Sequence, residues 1–476
     1  MSENTHDPSS EVEAAQTAQW RPSLHFTARD TWLNDPNGLI THHGVHHLFF
    51  QNNPYGREWG NMSWGHATSS DYLSWTEQPV AIVGTPTEGI FSGSVVFDQL
   101  NTSGLGTAEN PPLVAIHTSA FESDPTWGNQ QGQSLAVSLD DGQTWTRFAG
   151  NPVLMRGSEN FRDPKVFWHT PTQRWVMVAV EAHERQVLVH TSTNLVEWTL
   201  ASSFGPEGST FGIWECPDLF EMPVEGTSES RWVMLVSVGD GAPAGGSGMQ
   251  WFVGDFDGEV FTSQQESRWL DHGPDLYAGV TFSGESETTL IGWMSNWLYA
   301  RDSPTRPWAS AMTLPRRLRL RRDGDELAVA HVPLLPTVAA ELQPDPGEAL
   351  DTADAYRITT GLDDGGALTL RRVGDSGGGE PASSELVIRR PGDRLEIDRS
   401  RASVTAVHPE APIVVPLPRA ASATSDPVDL VVIEDHGLVE VFTADGLVSA
   451  SLQTFPVDGP LRVEATGPVR VEGLSA

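Results

Sequence analysis

Three copies of a short pattern run along the first half of the chain and constrain its fold more than any other feature. Ser69-Ser70-Asp71-Tyr72-Leu73-Ser74-Trp75-Thr76 is echoed by Ser138-Leu139-Asp140-Asp141-Gly142-Gln143-Thr144-Trp145-Thr146, and again by Thr191-Ser192-Thr193-Asn194-Leu195-Val196-Glu197-Trp198-Thr199. Each copy reads as a strand, a polar turn and a second strand that opens on Trp-Thr. The tryptophans stand 70 and then 53 residues apart, and Trp269 follows 71 later in a looser echo. Repeats of this size made of short strands predict propeller blades. About 300 residues at roughly 60 per blade give about five blades.

The sequence between the copies agrees. Val-, Trp- and Phe-rich runs at 45–50, 94–97, 113–117, 134–137, 175–180, 187–190, 232–238 and 290–294 read as strands, with Gly, Asn, Asp or Pro between them. No long window before residue 330 carries a 3.6-residue apolar period. Arg317-Leu318-Arg319-Leu320-Arg321 alternates around Asp323-Gly324 with Leu327-Ala328-Val329, a hairpin signal. All 17 tryptophans lie between Trp20 and Trp308, so a plainer second domain is expected after them. Most of the 17 are expected to fill β-cores. The expected organisation is all-β: a disordered tail over 1–19, a five-bladed β-propeller over 20–335, a linker over 336–350 and a β-sandwich over 351–476. Within the sandwich, strands are expected at 385–389, 395–397, 430–433 and 438–442, with Gly- and Ser-rich turns such as 374–384 between strands.

Charge narrows the partners. A net charge of −34, with 28 arginines and one lysine among the basic residues, argues against nucleic acid and anionic membranes. The single cysteine allows no internal disulfide. No apolar run is long enough to span a bilayer. The polar first residues lack the apolar core of a signal peptide, so the chain as it stands reads as cytoplasmic, and as secreted if a leader has been removed.

Three motifs set carboxylates among rigid neighbours: Trp32-Leu33-Asn34-Asp35-Pro36-Asn37-Gly38, Phe161-Arg162-Asp163-Pro164 and Trp214-Glu215-Cys216-Pro217-Asp218. The only lysine, Lys165, and the only cysteine, Cys216, adjoin two of them. Alone, Asp-Pro-Asn-Gly or Arg-Asp-Pro is an ordinary turn. Together on different blades, Asp35, Asp163 and Glu215 could meet at the axial funnel of a propeller. Glycoside hydrolysis needs such a set, one carboxyl ionised and another protonated.

The propeller region resembles glycoside hydrolase family 32, the invertase, inulinase and levanase family. The likeness runs from the three acidic motifs through Gln51, Trp59-Gly60, Trp64-Gly65-His66, Phe91-Ser92-Gly93-Ser94 and Gly292-Trp293-Met294-Ser295-Asn296-Trp297. In the second domain only Ile397-Asp398-Arg399-Ser400 and Val439-Glu440-Val441-Phe442 share it. The resemblance implies a five-bladed propeller with a C-terminal sandwich. It implies Asp35 as nucleophile, kept ionised by backbone N–H groups and Asn34, Glu215 as acid/base, and Asp163 as transition-state stabiliser with Arg162 as its charge partner. Asn34, Gln51, Trp59, Phe91, Ser92, Arg162 and Trp297 would line the fructose pocket. Cys216 reads as packing, and Lys165 as a group that would tune Asp163.

Segments 60–66, 90–94 and 296–308 look more like exo-acting levanases and inulinases than bacterial invertases. Release of terminal fructose from fructans and oligosaccharides is therefore expected. The alternatives are sucrose hydrolysis, fructosyl transfer on the same scaffold, and a non-catalytic fructan-binding propeller. The second repeat copy fits the Asp-box of sialidases, but one strict copy is expected to be blade architecture. His42-His43-Gly44-Val45-His46-His47 reads as a hairpin with solvent-facing histidines, so no metal is expected. Gly241–Gly248 lacks the Lys-Ser/Thr of a phosphate loop, and Asp255-Phe256-Asp257-Gly258 lacks the later ligands of a calcium loop. No cofactor is expected.

Overall fold

The computed structural model describes residues 19–342, 345–350, 353–374, 382–404, 411–419 and 426–475. Five antiparallel sheets follow one another in chain order. Their first strands are Trp32–His42, Glu88–Phe97, Phe161–His169, Trp214–Pro223 and Tyr277–Thr281. These five strands pack side by side in a ring, and the first meets the fifth through Thr41 N–Ser283 O at 2.9 Å and Ser283 N–Leu39 O at 2.9 Å. The first domain is thus a five-bladed propeller.

The repeat marks one place in three successive blades, the turn between third and fourth strands. Side chains close each turn in the same way. Ser69 and Ser138 hydroxyls donate to Asp71 and Asp140 at 2.9 and 2.8 Å, and Asn194 takes this place in the third copy. Asp71 also accepts the N–H groups of Leu73 and Ser74, and these bonds hold its carboxyl down at about 2 even though burial opposes them. Trp75, Trp145, Trp198 and Trp269 then pack against the cores between blades. Trp32, Trp64, Trp175, Trp214, Trp251, Trp293 and Trp308 are buried and seven more pack partly buried against core clusters, so the core reading holds for most of the tryptophans.

Every inner strand breaks register near its start. The shifts fall between Leu33 and Pro36, Phe91 and Gly93, Arg162 and Lys165, Glu215 and Asp218, and Tyr277 and Val280. A bulge bends the strand and re-aims a side chain. Here five bulges surround one axis, and Asp163, Cys216 and Ala278 take left-handed backbone (φ 62, 44 and 51) to make them. Gly38 (φ 55) is required, because a Cβ there would stand 2.8 Å from Phe49 and Val95.

The second domain is two six-stranded sheets enclosing one apolar core, with Ile358, Leu368, Ile388, Ile397, Leu430 and Leu452 among its residues. The 336–350 segment does not act as a plain linker. Val338–Leu342 pairs with Val469–Leu474, and Ala349–Leu350 pairs with Leu461–Ala465, each at a sheet edge. Edge strands are half solvated, so Val-Ala-Ala-Glu-Leu carries little of the apolar alternation that reveals a central strand. Residues 1–18 of the expected tail and most of the 374–384 turn lie outside the described residues.

Of the residues read as the start of the propeller, Trp20 and Ser23 to His25 bind the sandwich, whereas Arg21 stacks on Trp308 of the propeller. Ser23, Leu24 and His25 donate backbone N–H groups to the Asp435 carboxylate at 2.8 to 3.0 Å. The buried His25 ring spans Asp435 (2.8 Å) and Glu440 (3.3 Å), and Arg316 joins Glu440 (2.9 Å) to Asp271 (3.1 Å). Burial lowers the His25 pKa, but the two carboxylates outweigh it and raise it to about 9. The charged ring therefore stabilises the folded state below its unfolded pKa of about 6.5, and that contribution is lost as pH rises through about 9. Thermal unfolding should show the wild type losing stability across this window. His25→Gln should start lower, by on the order of 3 kcal/mol, and lack the step.

The histidine-rich hairpin departs from expectation. His42 and His47 are buried and only His43 is well exposed. His42 packs on Phe97 and pairs with Asp141 of the next blade at 3.0 Å, so it seals a blade contact. Among the described residues, no helix is long and apolar enough to cross a membrane.

Candidate active site

The bulges open onto a cavity of about 510 Å³ at one end of the ring. Asn34, Asp35, Gln51, Trp59, Phe91, Ser92, Arg162, Asp163, Glu215 and Trp297 all line it, so the whole set named from sequence converges. Met62, Ile213, Asp240 and Arg301 also line it and were not anticipated. The space beyond Asp163 and Ser92 is a void of about 10 Å³, room for a water and not for a sugar ring. The cavity is a blind pocket on this side.

Asp35 is held by side chains and not by the backbone N–H groups expected for it. Asn34 Nδ2 donates to Oδ1 at 3.0 Å, Ser92 Oγ to Oδ2 at 2.6 Å, and Cys216 Sγ lies 3.4 Å from Oδ2. Trp32 Nε1 donates to Asn34 Oδ1 at 2.7 Å and so fixes which end of that amide faces Asp35. Burial raises the Asp35 pKa and the Glu215 charge adds to it, while the three donors pull the other way. They favour the ionised form.

Arg162 is a charge partner of Asp163, as expected, and it bonds a second carboxyl more closely. Its Nη2 and Nε reach Glu215 Oε1 at 3.0 and 3.2 Å, whereas Asp163 is 3.8 Å away. The other Glu215 oxygen accepts from the buried Tyr277 hydroxyl at 2.6 Å. No sequence signal marked Tyr277, because its role arises only when the fourth and fifth blades meet.

Cys216 does more than pack. Its backbone N–H donates to Asp163 Oδ2 at 3.0 Å, and its thiol touches both aspartates. Burial, reinforced by the neighbouring carboxylates, pushes the thiol far up, so it remains an S–H donor. Burial also lifts Asp163 to about 7; the Glu215 and Asp35 charges add to this, while Arg162 and the Cys216 N–H oppose it. Three carboxyls and one guanidinium in so small a space keep a proton near neutral pH, as a site needing both an acid and a base requires.

Lys165 does not reach Asp163. Its ammonium is buried between Asp218 Oδ2 (2.9 Å) and Thr281 O (2.5 Å), and Thr281 N–H and Oγ1 also bond Asp218. It pins the inner strands of the third, fourth and fifth blades beneath the pocket. Opposite, Trp297 stacks on Trp32 at 6.5 Å, and Arg301 sits over the exposed Trp59 ring at 5.5 Å. Gln51 Nε2 is buried without a protein partner, which suits it to a ligand oxygen.

Comparison with known proteins agrees with this geometry. Residues 25–330 match the family model described as glycosyl hydrolases family 32 N-terminal domain. A levanase of Bacillus subtilis is 49% identical over 325 residues, which are 66% of this chain and 47% of the levanase. An extracellular exo-inulinase of Aspergillus niger is 44% identical over 346 residues, 66% of this chain and 64% of that protein. The matched stretches thus span about half to two thirds of those relatives. The crystal structure of an exo-inulinase from Aspergillus awamori superposes with a TM-score of 0.86 at 33% identity, covering 96% of this chain and 98% of that one. With an acidic triad at the axis of five blades and a sandwich behind it, this chain belongs to glycoside hydrolase family 32.

Proposed function

We propose that this chain is a retaining glycoside hydrolase that releases terminal β-D-fructofuranosyl units from fructans and fructooligosaccharides of the inulin and levan types. One observation carries the reading: carboxyls from three blades face a single blind pocket, each with a different set of partners. The floor closed beneath the carboxyls holds one sugar unit there, as removal of a terminal fructose requires.

In this reading Asp35, ionised and fixed by Asn34, Ser92 and Cys216, attacks the anomeric C2 of the terminal fructose. Glu215 gives its proton to the departing oxygen as the C2–O bond breaks. The fructosyl-enzyme ester is then opened by water, whose proton returns to Glu215, and the product keeps its configuration. Arg162 and Tyr277 hold the Glu215 carboxyl in place through both steps. Asp163 binds ring hydroxyls and strengthens those bonds as positive charge develops. Trp59 and Trp297 flank the pocket, apolar faces for a sugar ring.

Purified protein offered sucrose, kestose-type oligomers, inulin and levan, with fructose as the readout, tests the proposal. Fructose release from the oligomers and polymers is expected. Efficient sucrose cleavage with the fructans untouched would overturn the substrate reading, and chain-lengthened products at high sucrose would point to transfer.

Asp163→Asn separates catalysis from stability. Since the folded Asp163 pKa is about 7 and the unfolded value about 4, the folded state holds a proton that the unfolded state has lost between them. Stability therefore falls as pH rises through that window, and the penalty is complete above it. Removing the charge should raise Tm at about pH 8 while lowering kcat/KM about 10²–10³-fold. A variant both less stable and fully active would contradict both assignments.

A further inference from the structure

One buried arginine of the sandwich reaches the wall of the pocket. Arg399, in the strand Arg394–Arg401, is 1% exposed although it carries a charge. Its Nη1 donates to Asp275 Oδ2 at 3.0 Å and to Gln453 O at 2.8 Å, and its Nη2 donates to the Tyr299 hydroxyl at 3.0 Å. Tyr299 in turn donates to Asp275 Oδ1 at 2.5 Å. A closed three-membered network results, with one member in the sandwich and two in the propeller.

Those two members stand beside pocket residues. Tyr299 lies between Trp297 and the short 3₁₀ turn Ala300–Asp302 that carries Arg301, and both Trp297 and Arg301 line the pocket. Asp275 precedes by two residues the Tyr277 whose hydroxyl holds Glu215. Gln453 of the sandwich also bonds the Met294 carbonyl at the start of the same segment. Asn296 braces the segment against the fourth blade through Gly245 O and Ser247 O at 3.1 and 3.2 Å. The rim of the pocket is thus fastened at both ends, and on its outer side the fastening is the sandwich.

We propose that Arg399 is a positioning residue for the reaction: through Tyr299 and Asp275 it sets the placement of the Trp297–Arg301 wall and of Tyr277 against the substrate. This gives the sandwich a part in turnover and not only in stability. The proposal rests on the fructosidase reading, since its readout is fructose release. A charge this deep is costly, the more so because Arg399 Nε is buried without a partner, and a network made only for adhesion could equally be apolar. Misplacement by about 1 Å, remote from the chemistry, can cost up to about 10²-fold in rate.

The test compares Arg399→Lys and Tyr299→Phe with Arg372→Met. Arg372 is a mostly buried sandwich arginine that pairs with Glu434 at 2.8 Å and bonds Gly459 O, both within its own domain. Tyr299→Phe removes one hydroxyl and leaves the Arg399–Asp275 pair, so it serves if Arg399→Lys does not fold. At temperatures well below each Tm, both test variants should raise KM and lower kcat/KM about 10-fold to 10²-fold, and change the ratio of kcat/KM for kestose-type oligomers to that for sucrose. Arg372→Met should lower Tm and keep kcat/KM within about twofold. Folded test variants with wild-type kinetics, or a loss in Arg372→Met as large as theirs, would overturn the proposal while leaving the fructosidase reading intact. A wild type that releases no fructose would instead overturn the reading, and the proposal with it.

Discussion

Asp35→Asn should abolish turnover, with kcat/KM reduced about 10⁴–10⁶-fold, while the protein stays folded. The substitution keeps the shape of the side chain and two of its contacts, since the Asn Oδ1 can still accept from Asn34 while its Nδ2 donates to the Ser92 hydroxyl oxygen. What it removes is the charge proposed to form the bond to C2, and no neighbour can supply that. Asp163 faces Cys216 N–H and Arg162, and Glu215 is tied up by Arg162 and Tyr277. Removing a buried charge whose pKa is raised should also leave Tm unchanged or higher above neutral pH. Loss of activity with an intact or raised Tm is the expected pair of results. Near-normal turnover would mean that the nucleophile has been misassigned.

The blade turns were legible in the sequence because their hydrogen bonds are local. Asp71, Asp140 and Asn194 each close a loop within four residues of themselves, so the pattern needs no distant partner to be recognised. The strands that carry the site were the hardest to see as strands. Asp-Pro-Asn-Gly and Arg-Asp-Pro read as turns because Pro and Gly weaken a ladder, yet each lies within an inner strand, at a bulge, as does Glu-Cys-Pro. The residues that break strand periodicity are those that turn carboxylates toward the axis. The signal for function and the noise in the secondary structure had one cause.

Within the site, the identities of the carboxylates were legible and their partners were not. The resemblance gave Arg162 to Asp163, and that pair stands at 3.8 Å, but nothing local showed its closer bonds to Glu215, 53 residues on. Lys165 lies two residues from Asp163, yet the bulge between Arg162 and Lys165 shifts the strand, and its ammonium bonds Asp218 instead. Tyr277 bonds across a blade boundary, where no local spacing can announce it. Although the 397–400 fragment drew attention to Arg399, its partners Asp275 and Tyr299 lie across a domain boundary and were not legible. His25 was hidden for the same reason, since its carboxylates come from the far end of the chain.

Glu215→Gln should lower kcat/KM on fructooligosaccharides about 10²–10⁴-fold, and the size of the loss should depend on the leaving group. A sugar alkoxide leaves poorly and needs the Glu215 proton, whereas a nitrophenolate leaves unaided. With a nitrophenyl β-fructofuranoside the variant should still form the fructosyl-enzyme, with a burst of nitrophenol followed by slow turnover, because Gln cannot deprotonate the incoming water. The amide oxygen can still accept from Arg162 while the amide NH2 donates to the Tyr277 hydroxyl oxygen, so the wall of the pocket should hold its shape. Asp35→Asn should give no burst with the same substrate. The pair of variants therefore reads the two carboxyls separately: one decides whether the covalent bond forms, the other how the proton travels. An equal loss on both leaving groups in Glu215→Gln would assign Glu215 a binding role and send the search for the acid to Asp163, the other pocket carboxyl, whose pKa lies near neutrality.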